Sequence, residues 1–403
     1  MTRRQLIHMA AMTPAFLTLA SQIGAQDRPP VKIERAEVFP ALYPMAGYFK
    51  FFTGAHNSAG RPAVFLKLTA SDGTVAWGQA VPICKWSYET LETSYTVLRD
   101  YFAPAIIGKD PHDLASIHAA MDYEIAPSFS TGMPITRAAV DIAVWDLLGR
   151  IHKKNVAGFW NLKPVSHLTL SWTLNPRKLD EVEGLIDAGR KRGYKHFNIK
   201  VAPDPVVDVE LTKLVRKLVP DTFLWADGNT GYEPAIALEA APKLRDAGAD
   251  VLESPLKPNR ISGYQQLVKQ GALPILMDEG LVSPVELEEF IKLKMLDGIA
   301  AKPGRCGGLT SNRKQIELCL ENKLMWLGSG LTDPDVSLAA SLILYGAFGQ
   351  TKPCALNGPQ FLIGDVLKTP LKIADGKIEV PTGPGLGIEV DEDKVKALRP
   401  KNM

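Results

Sequence analysis

The chain has few cysteines, no surplus of either charge, no long apolar run and no low-complexity linker, and each absence closes a class of protein. Cys84, Cys306, Cys319 and Cys354 are scattered and form no CxxC pair, so neither a zinc site nor a disulfide framework is predicted, and the four read as buried free thiols. The formal charge of +2 is matched by Arg3 and Arg4 alone, which leaves no basic excess for nucleic acid or a membrane surface. The apolar stretch ending at Leu19 is short and interrupted by Pro14, and no other segment reaches the length of a membrane span. Without a flexible linker, the domains are expected to pack tightly.

What is present is enough for one large domain and a smaller one: 403 residues, 46% of them hydrophobic. The start, Thr2-Arg3-Arg4-Gln5-Leu6-Ile7-His8 followed by small residues around Ala25, resembles a twin-arginine export signal over residues 1–25. It implies a periplasmic location, or a cytoplasmic one if the signal does not function.

Residues 31–155 read as an α+β unit. Ala63–Thr69 and Thr74–Ala80 flank the turn Ser71-Asp72-Gly73 as a hairpin, and helical periodicity follows in Tyr88–Phe102, Leu114–Tyr123 and Pro134–Ile151, the last with one apolar side. From 165 to 357 short β-branched runs alternate with helical stretches. Strands are predicted near 167–172, 196–201, 222–227, 250–253, 274–278, 297–302, 324–328 and 353–357, with helices such as Val206–Leu218, Pro234–Ala247 and Asn312–Glu321 between them. That succession predicts a closed (β/α)7β TIM-like barrel. The turn-rich tail, 358–403, is predicted to return to the first unit as part of an α+β capping domain.

The chemistry concentrates at the carboxyl ends of the barrel strands. Lys200, Asp227, Glu253, Asp278 and Lys302 follow one another at separations of 27, 26, 25 and 24 residues, one βα unit each, so all five converge on the rim where barrel active sites lie. Any one of them reads equally well as a turn or cap residue, as in Asp227-Gly228. Five in step do not. Three carboxylates on adjacent strands repel unless neutralised, and an oxygen-only set suits a hard cation such as magnesium, with manganese as the alternative; no His or Cys partner points to zinc. A lysine beside such a cation has its ammonium destabilised and becomes usable as a base. Spacing alone leaves Asp278 and Glu279 open as the third acid, because neighbours on a strand point to opposite sides.

These motifs together resemble the enolase superfamily, and within it the muconate lactonizing enzyme subgroup of the mandelate racemase/muconate lactonizing enzyme family. The matching stretches are Asn198-Ile199-Lys200, Asp227-Gly228-Asn229, Glu253-Ser254-Pro255, Asp278-Glu279 and Lys302-Pro303-Gly304-Arg305-Cys306-Gly307-Gly308, with Ala76–Pro82 and Leu356-Asn357-Gly358-Pro359 outside the main series. The resemblance implies a magnesium-stabilised enolate, metal ligands Asp227, Glu253 and Asp278, and the bases Lys200 and Lys302 on either face of a carboxylate substrate. It implies a homo-oligomer, and a cap loop over Tyr43–His56, rich in Tyr48, Phe49, Phe51 and Phe52, that excludes water and sets the substrate. Asn198, Asn229, Glu279, Ser329 and Asn357 are the candidate substrate-binding or neighbouring residues.

Two departures stand out. Asn198 replaces the first lysine of the family's Lys-x-Lys element, and Ala355-Leu356-Asn357 replaces an Asp-x-Asp that receives a substrate ammonium in some dipeptide epimerases. The seventh strand ends Leu327-Gly328-Ser329-Gly330, without the histidine of the mandelate racemase subgroup. The reading is therefore a racemase, epimerase or cycloisomerase working through an enolate. Its alternatives are a dehydratase using the same intermediate, an exported glycosidase using two of the carboxylates, or a carboxylate-binding protein without catalysis.

Overall fold

The computed structural model describes residues 31–51, 59–401 and 403. The leader at 1–25, and Phe52 to His56 of the cap loop, lie outside the described residues.

The cap begins with an antiparallel sheet of β1 (Ile33–Tyr43), β2 (Arg61–Ala70) and β3 (Val75–Ala80). Its hairpin turn is fixed locally. Asp72 Oδ1 accepts the Thr74 amide at 2.9 Å, and Gly73 supplies a φ of +84°. The helix Pro134–Ile151 lies against β3 so closely that a Cβ on Gly78 would stand 1.9 Å from the Ala139 carbonyl oxygen. The expected one-sided helix is instead buried at every position from Pro134 to Gly149, because the sheet covers one side and the barrel another. Its polar residues are spent on docking. Asp141 accepts the amide and hydroxyl of Thr310, and Trp145 Nε1 donates to the same hydroxyl at 2.9 Å. The predicted helix Tyr88–Phe102 starts later, at Leu91, and passes through a wider π turn over Leu98–Phe102.

The expected strand 167–172 divides at Leu170. β4 (His167–Thr169) turns away to pair antiparallel with a tail strand, Lys377–Glu379, while β5 (Ser171–Leu174) opens the barrel. The sheet continues in parallel through β6 (His196–Lys200), β7 (Leu224–Asp227), β8 (Val251–Glu253), β9 (Ile275–Met277), β10 (Gly298–Ala301) and β11 (Met325–Gly328). The eighth strand is reduced to two parallel bridges, Leu170 with Cys354 and Ser329 with Ala355, which join the sheet's two edges and close it. Proline in the first turn starts the helices Pro205–Leu218, Pro234–Asp246 and Pro284–Lys292, with Asp204 and Ser283 capping the first and last.

Strand alternation then positions the site. Trp225, Val251, Leu276, Ala300, Leu327 and Ala355 pack together as one apolar cluster of barrel-strand residues. Two residues further along each strand, on the same face, stand Asp227, Glu253, Asp278, Lys302, Ser329 and Asn357. The polar rim is the next storey of the same pattern.

Among the described residues no helix is long and apolar enough to cross a membrane. Cys306, Cys319 and Cys354 are buried free thiols, and Cys84 is half-buried.

Candidate active site

Lys200, Asp227 and Glu253 stand opposite one another in the registers of β6, β7 and β8, so three successive strands present them side by side. Asp278 and Lys302 each follow the last residue of their strand, β9 and β10. Asp278 shares the strand parity of Leu276, whereas Glu279 meets Trp86 and Asn229. All three acids are at most 2% exposed, and Lys302 is 5% exposed. Asp227, Glu253 and Lys302 line a cavity shared with Asn198, Lys200, Asn229, Ser329, Thr332 and Asn357 on the barrel side and with Phe49, Phe51, Ile83 and Trp86 on the cap side, and Asp278 stands behind Lys302.

The two lysines bracket the acids. Lys200 Nζ donates to Asp227 Oδ2 at 2.5 Å and lies 5.6 Å from the Phe49 ring. Lys302 Nζ donates to Asp278 Oδ2 and lies 5.2 Å from the ring of Trp86. Asp278 Oδ1 takes a second cation, Arg305, whose guanidinium is itself held by the carbonyls of Leu281 and Ala300, each at 3.0 Å.

Charge and burial compete within the row. Burial, with Asp227 and Asp278 beside it, pushes the Glu253 carboxyl well above the usual carboxylate range. Burial opposes ionisation of Asp278 too, but Lys302 and Arg305 outweigh it and hold that carboxyl low. Lys302 is the counterpart: burial disfavours its charge, yet Asp278 and Glu253 prevail and its ammonium is held above the ordinary lysine range. The expected lowering is therefore not found. That expectation rested on a divalent cation taking up the carboxylates' charge, and against the carboxylates themselves the lysine stays protonated.

The remaining candidates take distinct places. Asn229 donates its amide N–H to Asp227 Oδ1 at 2.8 Å, and its side-chain nitrogen bridges Asp227 Oδ2 and Glu279 Oε1. Glu279 also accepts Trp86 Nε1 at 3.0 Å, and burial together with Asp278 and Asp227 lifts its carboxyl to about 7. Asn198 lies one storey below Lys200, where Oδ1 accepts the hydroxyls of Ser171 and Thr173 at 3.2 and 3.1 Å. Asn357 joins the same chain, donating to Thr173 Oγ1 and accepting the Thr332 hydroxyl. The wall below Lys200 and beyond it is thus neutral. Tyr48 does not face the cavity; it is 45% exposed and stacks under Arg177 at 4.2 Å. Gly308, at the end of the Lys302 motif, is required by packing, since a Cβ there would meet the Asp141 carboxylate at 2.3 Å.

Sequence reasoning missed Arg305 as a site residue, although it stands inside the Lys302 motif, and missed Trp86 and Thr332. An arginine three residues past a rim lysine was the available signal for the first. Trp86 lies in a loop with no periodicity, and only the cap's docking brings it to the barrel.

The donors suit a hard cation in kind: buried, oxygen-only, on neighbouring strands about 4.8 Å apart. Glu253 Oε1 is buried without a hydrogen-bond partner, as an atom awaiting a ligand would be. Against this, among the described residues no three acidic, His or Cys side chains are gathered tightly enough to hold an ion as they stand. The reason is visible, since Asp227 is turned onto Lys200 and Asp278 onto Lys302 and Arg305. The features that fit a cation are the unpartnered Glu253 oxygen and the strand register that sets Asp227 beside Glu253.

Residues 181–394 match the family described as Enolase C-terminal domain-like, and residues 50–159 match the Mandelate racemase / muconate lactonizing enzyme, N-terminal domain. The protein belongs to the mandelate racemase/muconate lactonizing enzyme family of the enolase superfamily, in its muconate lactonizing enzyme subgroup. It is 28% identical over 354 residues to a chloromuconate cycloisomerase of Cupriavidus necator, covering 86% of this chain and 92% of that one. It is 26% identical over 383 residues to an N-succinyl-L-Arg/Lys racemase of Bacillus cereus, covering 91% and 98%. The crystal structure of 2-chloromuconate cycloisomerase from Rhodococcus opacus superposes with a TM-score of 0.82 at 25% identity, over 92% of this chain and all of that one. These relatives are isomerases of the enolase superfamily.

Proposed function

We propose that this protein removes the α-proton of a small carboxylate substrate and returns or redirects it, as a racemase, epimerase or cycloisomerase. The observation that carries this is the bracket itself: two lysine ammonium groups, on β6 and after β10, with three buried carboxylates on the strands between them. A divalent cation, magnesium or manganese, held by Asp227, Glu253 and Asp278 would supply polarisation of the substrate carboxylate and stabilisation of the enolate's charge. The lysine on the face presented, Lys302 or Lys200, accepts the α-proton at Nζ as the neutral amine, while the other carries the proton to be returned. Return from the other lysine inverts the centre, while leaving-group loss or ring opening and closure from the same enolate gives the other outcomes. Phe49, Phe51 and Trp86 exclude water from the cavity and so protect the enolate from stray protonation.

Membership of this family favours enolate chemistry over the glycosidase alternative, and dehydration remains the variant that shares the intermediate. The leader's two arginines support export, a reading that rests on the sequence alone.

The test is hydrogen exchange in deuterated water across a panel of carboxylates, with and without a chelator. Wild-type protein with magnesium is expected to incorporate deuterium at the α-carbon, and chelation is expected to abolish it. Exchange that survives both chelation and the loss of either lysine would overturn the proposal.

A further inference from the structure

Lys302 is supported from behind the barrel as well as from its rim. The helix Asp335–Ala347, which follows β11, is buried from Val336 to Ala347, and its Tyr345 is fully enclosed. The Tyr345 ring lies along β11, 6.0 Å from the ring of Trp326, and passes Gly328, where a Cβ would stand 2.7 Å from Tyr345 Cδ2. A bare position at 328 thus opens the way for the phenol to reach the rim. There its hydroxyl is shared between two carbonyls, Ala301 at 2.5 Å and Ser329 at 2.8 Å.

Both carbonyls stand where the pairing of β10 and β11 runs out. Ala301 opposite Gly328 is the last pair in register, and the Ser329 amide donates to the Ala301 carbonyl at 3.0 Å. Beyond it the chains part. One continues into Lys302 and Pro303, whose missing N–H cannot extend the ladder, and the other into Gly330, Leu331 and Thr332, which line the cavity. The phenol closes the end of the pair in place of a further ladder bond. The carbonyl before, Ala300, accepts Arg305 Nη2 at 3.0 Å, so the two residues preceding Lys302 are each fixed by a buried side chain. Burial lifts the Tyr345 phenol well above the ordinary tyrosine range, so near neutrality it stays a donor.

We propose that Tyr345 is a positioning residue for Lys302, whose hydroxyl, by joining the Ala301 and Ser329 carbonyls, sets where the Lys302 ammonium stands against the reacting carbon. This rests on reading Lys302 as one of the two bases. Tyr345 acts through the backbone that carries Lys302 and Ser329, and it lies outside the residues that line the cavity. Without the hydroxyl, the Ser329 carbonyl loses its donor in a residue only 4% exposed, and the strand ends are free to separate. Misplacing a reacting group by about 1 Å costs on the order of 10²-fold in rate, so a partial shift is expected to cost about tenfold. Lys200 does not share the clamp, because β7, β8 and β9 separate its strand from β10.

Tyr345→Phe removes the hydroxyl and keeps the ring, and Gly328→Ala keeps the hydroxyl and pushes the ring aside. The first measurement needs no substrate: backbone amide exchange of the full protein with magnesium, read by peptide. Both variants are expected to speed exchange about tenfold in peptides covering 298–306 and 325–333, and to leave 196–202 and 224–230 unchanged. The second is α-deuterium incorporation into each enantiomer of every carboxylate that the wild type exchanges. Tyr345→Phe is expected to lower kcat on the Lys302 face about tenfold with KM within about twofold, to leave the Lys200 face within about twofold, and to keep the shape of the pH profile, since the hydroxyl meets carbonyls and no titrating group. Unchanged amide exchange, loosening spread over the whole barrel, or an equal fall on both faces would overturn the role of Tyr345 alone. A wild type that exchanges no carboxylate would overturn the enolate reading and this role with it, an outcome told apart because it appears before any substitution is made.

Discussion

The two sides of the cavity carry the same residue type at equivalent rim positions and support it in opposite ways. On the Lys302 side the lysine and Arg305 share one carboxylate, Asp278, in a pocket that is almost fully buried beneath the cap's Trp86 ring. On the Lys200 side the ion pair with Asp227 stands above a neutral floor, in which Asn198 accepts two hydroxyls, and below the cap's aromatic ring. The lesson is that a pseudo-symmetric pair of bases need not be an equivalent pair. One ammonium pairs with a carboxylate that a second cation shares, and the other with a carboxylate of its own above an uncharged floor.

The largest effect that would break this comparison comes from removing the bases singly. Lys302→Ala and Lys200→Ala are each expected to lower exchange on their own face by about 10³-fold, within the usual range for loss of a positioned general base. Each should leave exchange on the opposite face measurable. The check is α-deuterium incorporation into each enantiomer separately. Parallel loss on both faces in either variant would mean that the lysines do not act on separate faces.

Next in size is the charge network behind Lys302. Arg305→Leu leaves Asp278 with one cation instead of two and frees the carbonyls of Leu281 and Ala300, so a destabilisation of about 3 kcal/mol is expected. Denaturant unfolding measures it. A change below about 1 kcal/mol, the scale of an exposed ion pair, would show that the arginine contributes little more than surface charge does.

How much of this was legible beforehand follows from the same contrast. The rim residues repeat with the βα unit and the strand period, so their convergence could be read from spacing, as could the parallel sheet that carries them. What could not be read depends on long-range docking. The split of the expected first strand at Leu170 is dictated by a partner in the tail, 377–379, some two hundred residues away. The burial of the Pro134–Ile151 helix on all sides follows from its lying between sheet and barrel, which composition alone does not reveal. Trp86 reaches the cavity only because the cap closes on the barrel, and it sits in no periodic pattern. Arg305 stands inside the Lys302 motif, but arginine is ordinarily a surface residue and nothing local marks this one as buried.

The smallest effect sharpens the comparison most, because it tests the neutral floor directly. Asn198→Ala removes the acceptor shared by the Ser171 and Thr173 hydroxyls, both buried, and is expected to destabilise the fold by about 1 kcal/mol. Asn198→Asp keeps an acceptor in the same place but adds a negative charge one storey below Lys200. That charge favours the protonated lysine, so exchange on the Lys200 face should fall several-fold near neutrality and recover as pH rises, while the Lys302 face stays within about twofold. The pH profile of exchange, resolved by face, distinguishes this from simple damage, which would lower both faces alike at every pH. If both faces fell together, the floor under Lys200 would be part of the whole cavity's support, and the division into a charged side and a neutral side would have to be given up.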